Sequence, residues 1–160
     1  SFTLININEL LNEIISLVAP MSDERKISVS LDNKVEEKLE WKADHKRLRQ
    51  IFWNLASNGI KYNRVGGDLT FRAEIRDEKW LRISVIDTGL GIPKSKMHRL
   101  FSPFDRLDME CEQSEISGTG LGLPMSKSLV EAMGGKILVE SEEGKGSSFI
   151  IEFDLTAEMT

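Results

Sequence analysis

Hydrophobic residues change their period several times along this chain, and each change marks an element. From about Asn8, the residues Leu11, Ile14, Ile15 and Val18 recur with helical spacing. Pro20 is expected to kink or end that helix, because proline lacks the N–H the helical ladder needs. Short runs from Ile27 to Leu31 and from Leu39 to Ala43 read as strands. Between roughly Asp44 and Tyr62 the helical period returns, with Leu48, Ile51, Phe52 and Leu55 on one stripe and Asp44 suited to cap the first turn. The period then falls to two: Leu69, Phe71, Ala73 and Ile75 alternate, Arg76-Asp77-Glu78-Lys79 turns the chain, and Leu81, Ile83 and Val85 alternate again. That predicts an antiparallel hairpin ending at Asp87. A short amphipathic helix, Lys94 to Phe101, precedes a polar stretch, and Leu123, Met125, Leu129, Val130 and Met133 predict a further helix stopped by Gly134-Gly135. A closing strand pair runs from Lys136 to Ser141 and from Ser147 to Leu155, joined by Glu142-Glu143-Gly144-Lys145-Gly146. The pattern predicts an α+β fold: a two-layer α/β sandwich in which three helices cover one face of a mixed, mostly antiparallel sheet, the other face being partly open.

Two glycine-rich segments interrupt this scaffold, Asp87-Thr88-Gly89-Leu90-Gly91 and Gly118-Thr119-Gly120-Leu121-Gly122-Leu123. A carboxylate at the end of a strand is well placed for a ligand, and an ionised aspartate is only an acceptor. It therefore matches the exocyclic amine of adenine and not the carbonyl oxygen that guanine presents there. Gly89 and Gly91 allow positive φ and a close approach to a flat base. The same residues would also make an ordinary strand-to-turn exit. The second segment leads into a helix N-terminus, where free N–H groups and the positive end of the macrodipole favour a polyphosphate. No Gly-x-x-x-x-Gly-Lys-[Ser/Thr] loop occurs, and the acidic, loop-like Glu110 to Glu115 upstream of Gly118 does not suit a dinucleotide-binding fingerprint.

At ~100° per residue, Asn54, Asn58 and Lys61 form a stripe beside the apolar one on the helix that precedes both segments. Amides at the edge of a core suggest a lined cavity. Their oxygens suit a hard Mg²⁺ that bridges phosphates, and a lysine one turn on can neutralise polyphosphate. A solvated amphipathic helix with incidental asparagines fits the same spacing.

Four ordered motifs carry a resemblance: Asp44-x-x-Arg47-Leu48-x-Gln50-x-x-x-Asn54-Leu55-x-x-Asn58-x-x-Lys61-Tyr62, then Asp87-x-Gly89-x-Gly91, then Phe101-x-Pro103-Phe104-x-Arg106, then Gly118-x-Gly120-Leu121-Gly122-Leu123. From about Phe2 to Leu155 the chain resembles the catalytic, ATP-binding domain of sensor histidine kinases, with their Bergerat fold. The resemblance implies ATP and Mg²⁺ as cofactors, with Asn58 as metal ligand and Lys61 and Tyr62 on the phosphate side. Asp87 would hold the adenine amino group, Ser147 would support that aspartate through its hydroxyl, and Arg106 would approach the terminal phosphate. Asn58, Lys61 and Arg106 are the implied catalytic set. The implied nucleotide site further includes Asn54, Gly89, Gly91, Ile92, Phe104, Gly118, Thr119, Gly120, Leu121, Gly122 and Leu123.

Related gyrases, heat-shock chaperones and mismatch-repair proteins hydrolyse ATP with a glutamate one helical turn before the metal asparagine, acting as general base. Here that place is Asn54, and a neutral amide cannot take the proton of water. The sequence thus favours phosphoryl transfer to a nucleophile on another protein. In the resembled family that nucleophile is a histidine of a separate dimerisation domain, followed by a response regulator in two-component signal transduction. His45 and His98 are the two histidines here, and neither is followed by the run that marks a phosphoacceptor. Both read as surface residues. The expectation is one catalytic domain over residues 1–160, a monomeric fragment lacking the dimerisation and sensor parts of a homodimeric parent.

Composition narrows this reading only a little. The 160 residues are 40% hydrophobic, enough for one core. A net charge of −5 argues against nucleic acid as partner, so an anionic nucleotide must rely on local cations and helix amides. No apolar run approaches the ~20 residues of a membrane span, and a single cysteine, Cys111, suits a reducing compartment. A cytoplasmic location is expected, whether or not the parent is membrane-anchored. Residues 92 to 117 are expected to form a lid hinged at Gly91 and Gly118 and based on Phe101 and Phe104. Two positions depart from the resembled pattern: Gly59 in place of an alanine, at a helix cost of roughly 1 kcal/mol, and Pro124, tolerable in a first turn. A conformational ATPase and a nucleotide-binding regulatory module without kinase activity remain alternatives.

Overall fold

Capping side chains set where the two long helices begin. The computed structural model describes residues 2–102 and 122–156, so the readings on Phe104, Arg106, Gly118, Thr119, Gly120, Leu121 and most of the lid lie outside the described residues. Strand β1 (Thr3–Asn6) runs into α1 (Ile7–Glu24), whose N-cap Asn6 accepts from the Glu9 N–H at 3.0 Å. After β2 (Ser28–Asn33) and β3 (Glu40–Ala43), Asp44 caps α2 (His45–Lys61) by accepting from the Arg47 N–H at 3.2 Å. That hydrogen bond holds the Asp44 carboxyl below its ordinary pKa. Strands β4 (Asp68–Arg76) and β5 (Trp80–Asp87) follow, then a 3-10 helix (Lys94–Arg99), α3 (Gly122–Ala132), β6 (Lys136–Glu142) and β7 (Gly146–Asp154).

The main sheet has the order β2-β4-β5-β7-β6, with β2 and β4 parallel and the other neighbours antiparallel. The parallel pair is possible because β3 and α2 form the crossover between its strands. Among the described residues, three helices cover one face. Leu48, Ile51, Phe52 and Leu55 of α2 join Ile14 and Val18 of α1, Val130 of α3 and the inward set Leu69, Phe71, Ile83, Val85, Ile151 and Phe153 in one core. The other face is polar and partly open, laced by Arg72 to Asp32 at 2.9 Å and Arg82 to Glu152 at 2.8 Å.

Several expectations are corrected. Pro20 does not end α1, which continues to Glu24. Its missing N–H orphans the carbonyl of Ser16, but both residues are exposed, so water can satisfy that oxygen. The turn beyond is anchored by buried Ser22, whose hydroxyl donates to the Ala19 carbonyl at 3.1 Å. Pro20→Ala is therefore expected to stabilise the domain by about 1–3 kcal/mol, read as a higher urea midpoint at unchanged slope. Strand β1 has no counterpart in the sequence reading and pairs with β3 as a separate two-stranded sheet. The expected helix from Lys94 to Phe101 is a 3-10 helix without a buried residue or a side-chain N-cap, preceded by Pro93. Met125 is 40% exposed because α3 turns Ser126, Val130 and then Met133 inward.

The β4–β5 turn occurs where expected but without the usual glycine. Asp77 and Glu78 take φ of 53° and 55°, and the Lys79 N–H reaches the Arg76 carbonyl at 3.0 Å.

Candidate functional site

Register places Asp87 at the focus of this fold. It lies at the end of β5, opposite Leu69 on β4 and Ser147 on β7. Its Oδ1 accepts from the Gly89 N–H at 2.9 Å and from the Ser147 N–H at 3.2 Å. The strand-exit turn and the candidate ligand group thus share one carboxylate: Oδ1 closes the turn, and Oδ2 makes no hydrogen bond among the described residues. Burial pushes the Asp87 carboxyl above its ordinary value, and the two N–H donors pull against that shift.

Beside Asp87 opens a cavity of about 470 Å³ including its mouth. Asn58, Gly59 and Tyr62 of α2 and its C-cap line one wall, and Gly91, Ile92 and Leu100 another. Leu123 of α3 and Ser147 and Phe149 of β7 complete it, and Asp87 is its only carboxylate among the described residues. Of the expected nucleotide residues, Asn58, Tyr62, Asp87, Gly91, Ile92, Leu123 and Ser147 come together here. Gly59, Leu100 and Phe149 were missed, because their place depends on strand register and on the packing of α2, not on any local pattern.

Four described residues of the expected set do not line the cavity. Asn54 is covered by α3, and its amide donates to the Gly122 carbonyl at 3.4 Å and to Ser126 Oγ at 3.3 Å. Lys61 sits in the last turn of α2, half-buried, and desolvation lowers its pKa. Gly89 packs against the Tyr62 carbonyl, where a Cβ would stand 2.5 Å away. Gly122 begins α3 and faces Asn58, whose Nδ2 is 3.9 Å from the position of a Gly122 Cβ. The Asn58 amide makes no hydrogen bond among the described residues. An unsatisfied amide aimed at a cavity beside a helix N-terminus fits a hard cation with bound phosphate.

The Ser147 hydroxyl is also corrected. It is the backbone N–H of Ser147 that supports Asp87, while the hydroxyl lies 2.8 Å from Ser141 Oγ. Ser141 Oγ in turn donates to the Gly146 carbonyl at 3.0 Å and accepts the Ile92 N–H at 2.8 Å. With its own proton on Gly146, Ser141 accepts from Ser147; the Ser147 hydroxyl is bonded to Ser141, and it is the Ser147 N–H that is bonded to Asp87.

Gly59 has a packing reason. A Cβ there would stand 2.6 Å from Cδ1 of fully buried Leu69, so the glycine lets α2 settle on β4 beside Asp87. Phe101 packs against the core, with Lys127 Nζ 5.2 Å from its ring centroid. His45 and His98 lie at the surface, His45 Nε2 at 2.8 Å from Glu13 Oε1. No helix of the described residues is long and apolar enough to cross a membrane.

A half-buried aspartate at one strand end and an asparagine without a hydrogen bond among the described residues thus meet at one cavity under α2. Residues 43–157 match the histidine kinase-, DNA gyrase B-, and HSP90-like ATPase family, and the chain belongs to it. It is 40% identical to the sensor protein GacS of Pseudomonas syringae pv. syringae over 94% of this chain, and it spans 17% of that protein's length. Its fold is that of histidine kinase catalytic domains. The nucleotide-free catalytic domain of histidine kinase ThkA superposes with a TM-score of 0.83 at 30% identity, covering 98% of this chain and 99% of that one. Full-length ShkA in complex with AMPPNP matches at 0.84 and 32% identity, over 98% of this chain and 32% of that one. ThkA is also known in complex with the response regulator protein TrrA, a structure matched at 0.78 and 29% identity over 97% of this chain and 42% of that one.

Proposed function

We propose that this domain binds Mg-ATP in the cavity beside Asp87 and donates the γ-phosphoryl group to a histidine on a separate dimerisation domain, from which it passes to a response regulator. The observation that carries the reading is the divided Asp87 carboxylate, with Oδ1 fixed by two N–H groups and Oδ2 left as an acceptor at the cavity wall. Adenine's amino group satisfies such an acceptor, and guanine's carbonyl would oppose it. The AMPPNP bound by ShkA and the response regulator bound by ThkA support the same reading.

Asn58 is the residue we assign to the metal. Mg²⁺ held there with the phosphates would supply charge neutralisation for the departing phosphoryl group. The start of α3 at Gly122 faces Asn58, which supports assigning phosphate oxygens to it. Lys61, whose lowered pKa reflects its desolvation, requires a side-chain movement to reach them; Arg106 and the segment Gly118 to Leu121 are assigned to the phosphates on the resemblance. Asn54 argues against hydrolysis, being a neutral amide already donating to α3.

Incubation of the full parent kinase with γ-labelled ATP and Mg²⁺ tests this. Acid-labile label on a histidine is expected, with its rate reduced on the order of a hundredfold or more by Asn58→Ala. Steady release of phosphate with no label on protein would favour a conformational ATPase instead.

A further inference from the structure

Beyond Tyr62 the chain reads Asn63-Arg64-Val65-Gly66-Gly67, a loop to which neither the motifs nor the cavity assigns a role. Arg64 is exposed, yet its head group is fully engaged on one side. Nε donates to the Thr88 carbonyl at 2.8 Å, and Nη2 donates to the carbonyls of Gly89 at 3.2 Å and Gly144 at 2.7 Å. No carboxylate is paired with it among the described residues. All three acceptors are main-chain oxygens, two from the loop after β5 and one from the β6–β7 turn.

These loops meet backbone to backbone around the base side of the cavity. The Leu90 N–H donates to the Tyr62 carbonyl at 3.1 Å, and the Gly144 N–H donates to the Leu90 carbonyl at 2.7 Å. The Arg64 loop is itself tied down: Asn63 Oδ1 accepts the Arg64 N–H at 2.8 Å, and Asn63 Nδ2 donates to the Asp68 carbonyl at 2.9 Å. Three carbonyls converging on one point concentrate negative potential, which a planar guanidinium relieves with donors in fixed directions. An ammonium is a point charge and cannot place donors on all three in that geometry.

We infer that Arg64 is a positioning residue for nucleotide recognition, clamping the loop after Asp87 to the β6–β7 turn so that Oδ2 of Asp87 stays aimed at the base. The residues it holds, Thr88 and Gly89, directly follow Asp87, and the Gly89 N–H is one of the two donors that orient its carboxylate. This rests on the proposed adenine site and adds the element that fixes its geometry. Arg64 acts through backbone, so its effect falls on the base and not on the phosphates.

The test compares wild type, Arg64→Lys and Arg64→Ala, each with adenosine by NMR titration and with Mg-ATP by calorimetry, and with a thermal melt for folding. Both substitutions are expected to weaken adenosine and ATP by the same factor, about tenfold. Lysine, which retains charge and stem, keeps the domain folded without rescuing affinity. A loss confined to ATP and rescued by lysine would mean a phosphate contact and would overturn the inference. So would unchanged affinities with a lowered melting point, which mark a merely structural role. Should wild type bind neither ligand, the adenine reading itself falls, and this inference with it.

Discussion

Asp87→Asn is expected to cost about 1–3 kcal/mol of ATP affinity while leaving the ligand-free domain at least as stable at neutral pH. The amide oxygen can take the place of Oδ1 and keep the Gly89 and Ser147 N–H groups satisfied. The amide nitrogen then replaces Oδ2 and turns a donor toward adenine's amino group, donor against donor. Stability moves the other way because the folded-state pKa of Asp87 is raised above the ordinary 3.8, burial being the largest cause. A raised carboxyl contributes stability that is present below its unfolded pKa and lost as pH rises through its folded value. At neutral pH the wild type therefore carries the burden of a desolvated charge, and asparagine does not. Melting curves across pH should show the advantage of Asp87→Asn narrowing as pH falls below the folded pKa. ATP affinity of the wild type should fall across that same interval, and the variant should lack that component. Loss of binding with an undiminished melting point separates a ligand group from a core residue.

Gly91→Ala is expected to destabilise the domain by about 3 kcal/mol or more, the largest stability effect among these substitutions. Gly91 has φ of +70°, and a Cβ there would fall well inside van der Waals contact of the Glu142 carbonyl oxygen. Two costs add. The left-handed conformation alone costs an alanine roughly 1–2 kcal/mol, and the clash is with backbone, which has no rotamer to give. Gly144 separates the two terms. Its φ is +85°, but nothing lies within 4 Å of a Cβ there, so Gly144→Ala should lose only the conformational part. Urea midpoints of the two variants, read at equal slope, measure the difference. Equal losses at both positions would mean that β6–β7 and the loop after β5 are not packed as described. Because Gly91 and Ile92 line the cavity, Gly91→Ala should also weaken ATP binding, whereas Gly144→Ala should leave most of it.

What was legible in the sequence was what local chemistry encodes. The cap at Asp44, the stripe of Leu48, Ile51, Phe52 and Leu55, and the alternation on either side of Asp77-Glu78 each depend on neighbours within a few residues. The structure reproduces them nearly to the residue. Asp87 was legible as a candidate site residue only in the company of the other motifs, because an aspartate followed by glycines taken alone reads as a strand-to-turn exit. Its divided role was not, since it depends on the register that brings the Ser147 N–H across from β7. The same limit explains Asn54. A helical wheel puts it on the stripe of Asn58, but only the packing of α3 decides that one amide is covered and the other faces the cavity. Strand β1 is four residues long and forms by pairing with β3 some 37 positions later, beyond the reach of any periodicity. Arg64 carries no motif signal at all, because three carbonyls from distant loops define its place.

Calorimetric titration of the purified domain with ATP and with GTP in Mg²⁺, with Asp87→Asn alongside, tests the central claim most directly. Saturable ATP binding, much weaker GTP binding and loss of ATP affinity in the variant are the predicted results. Equal binding of the two nucleotides, or binding of neither by the wild type, would contradict it.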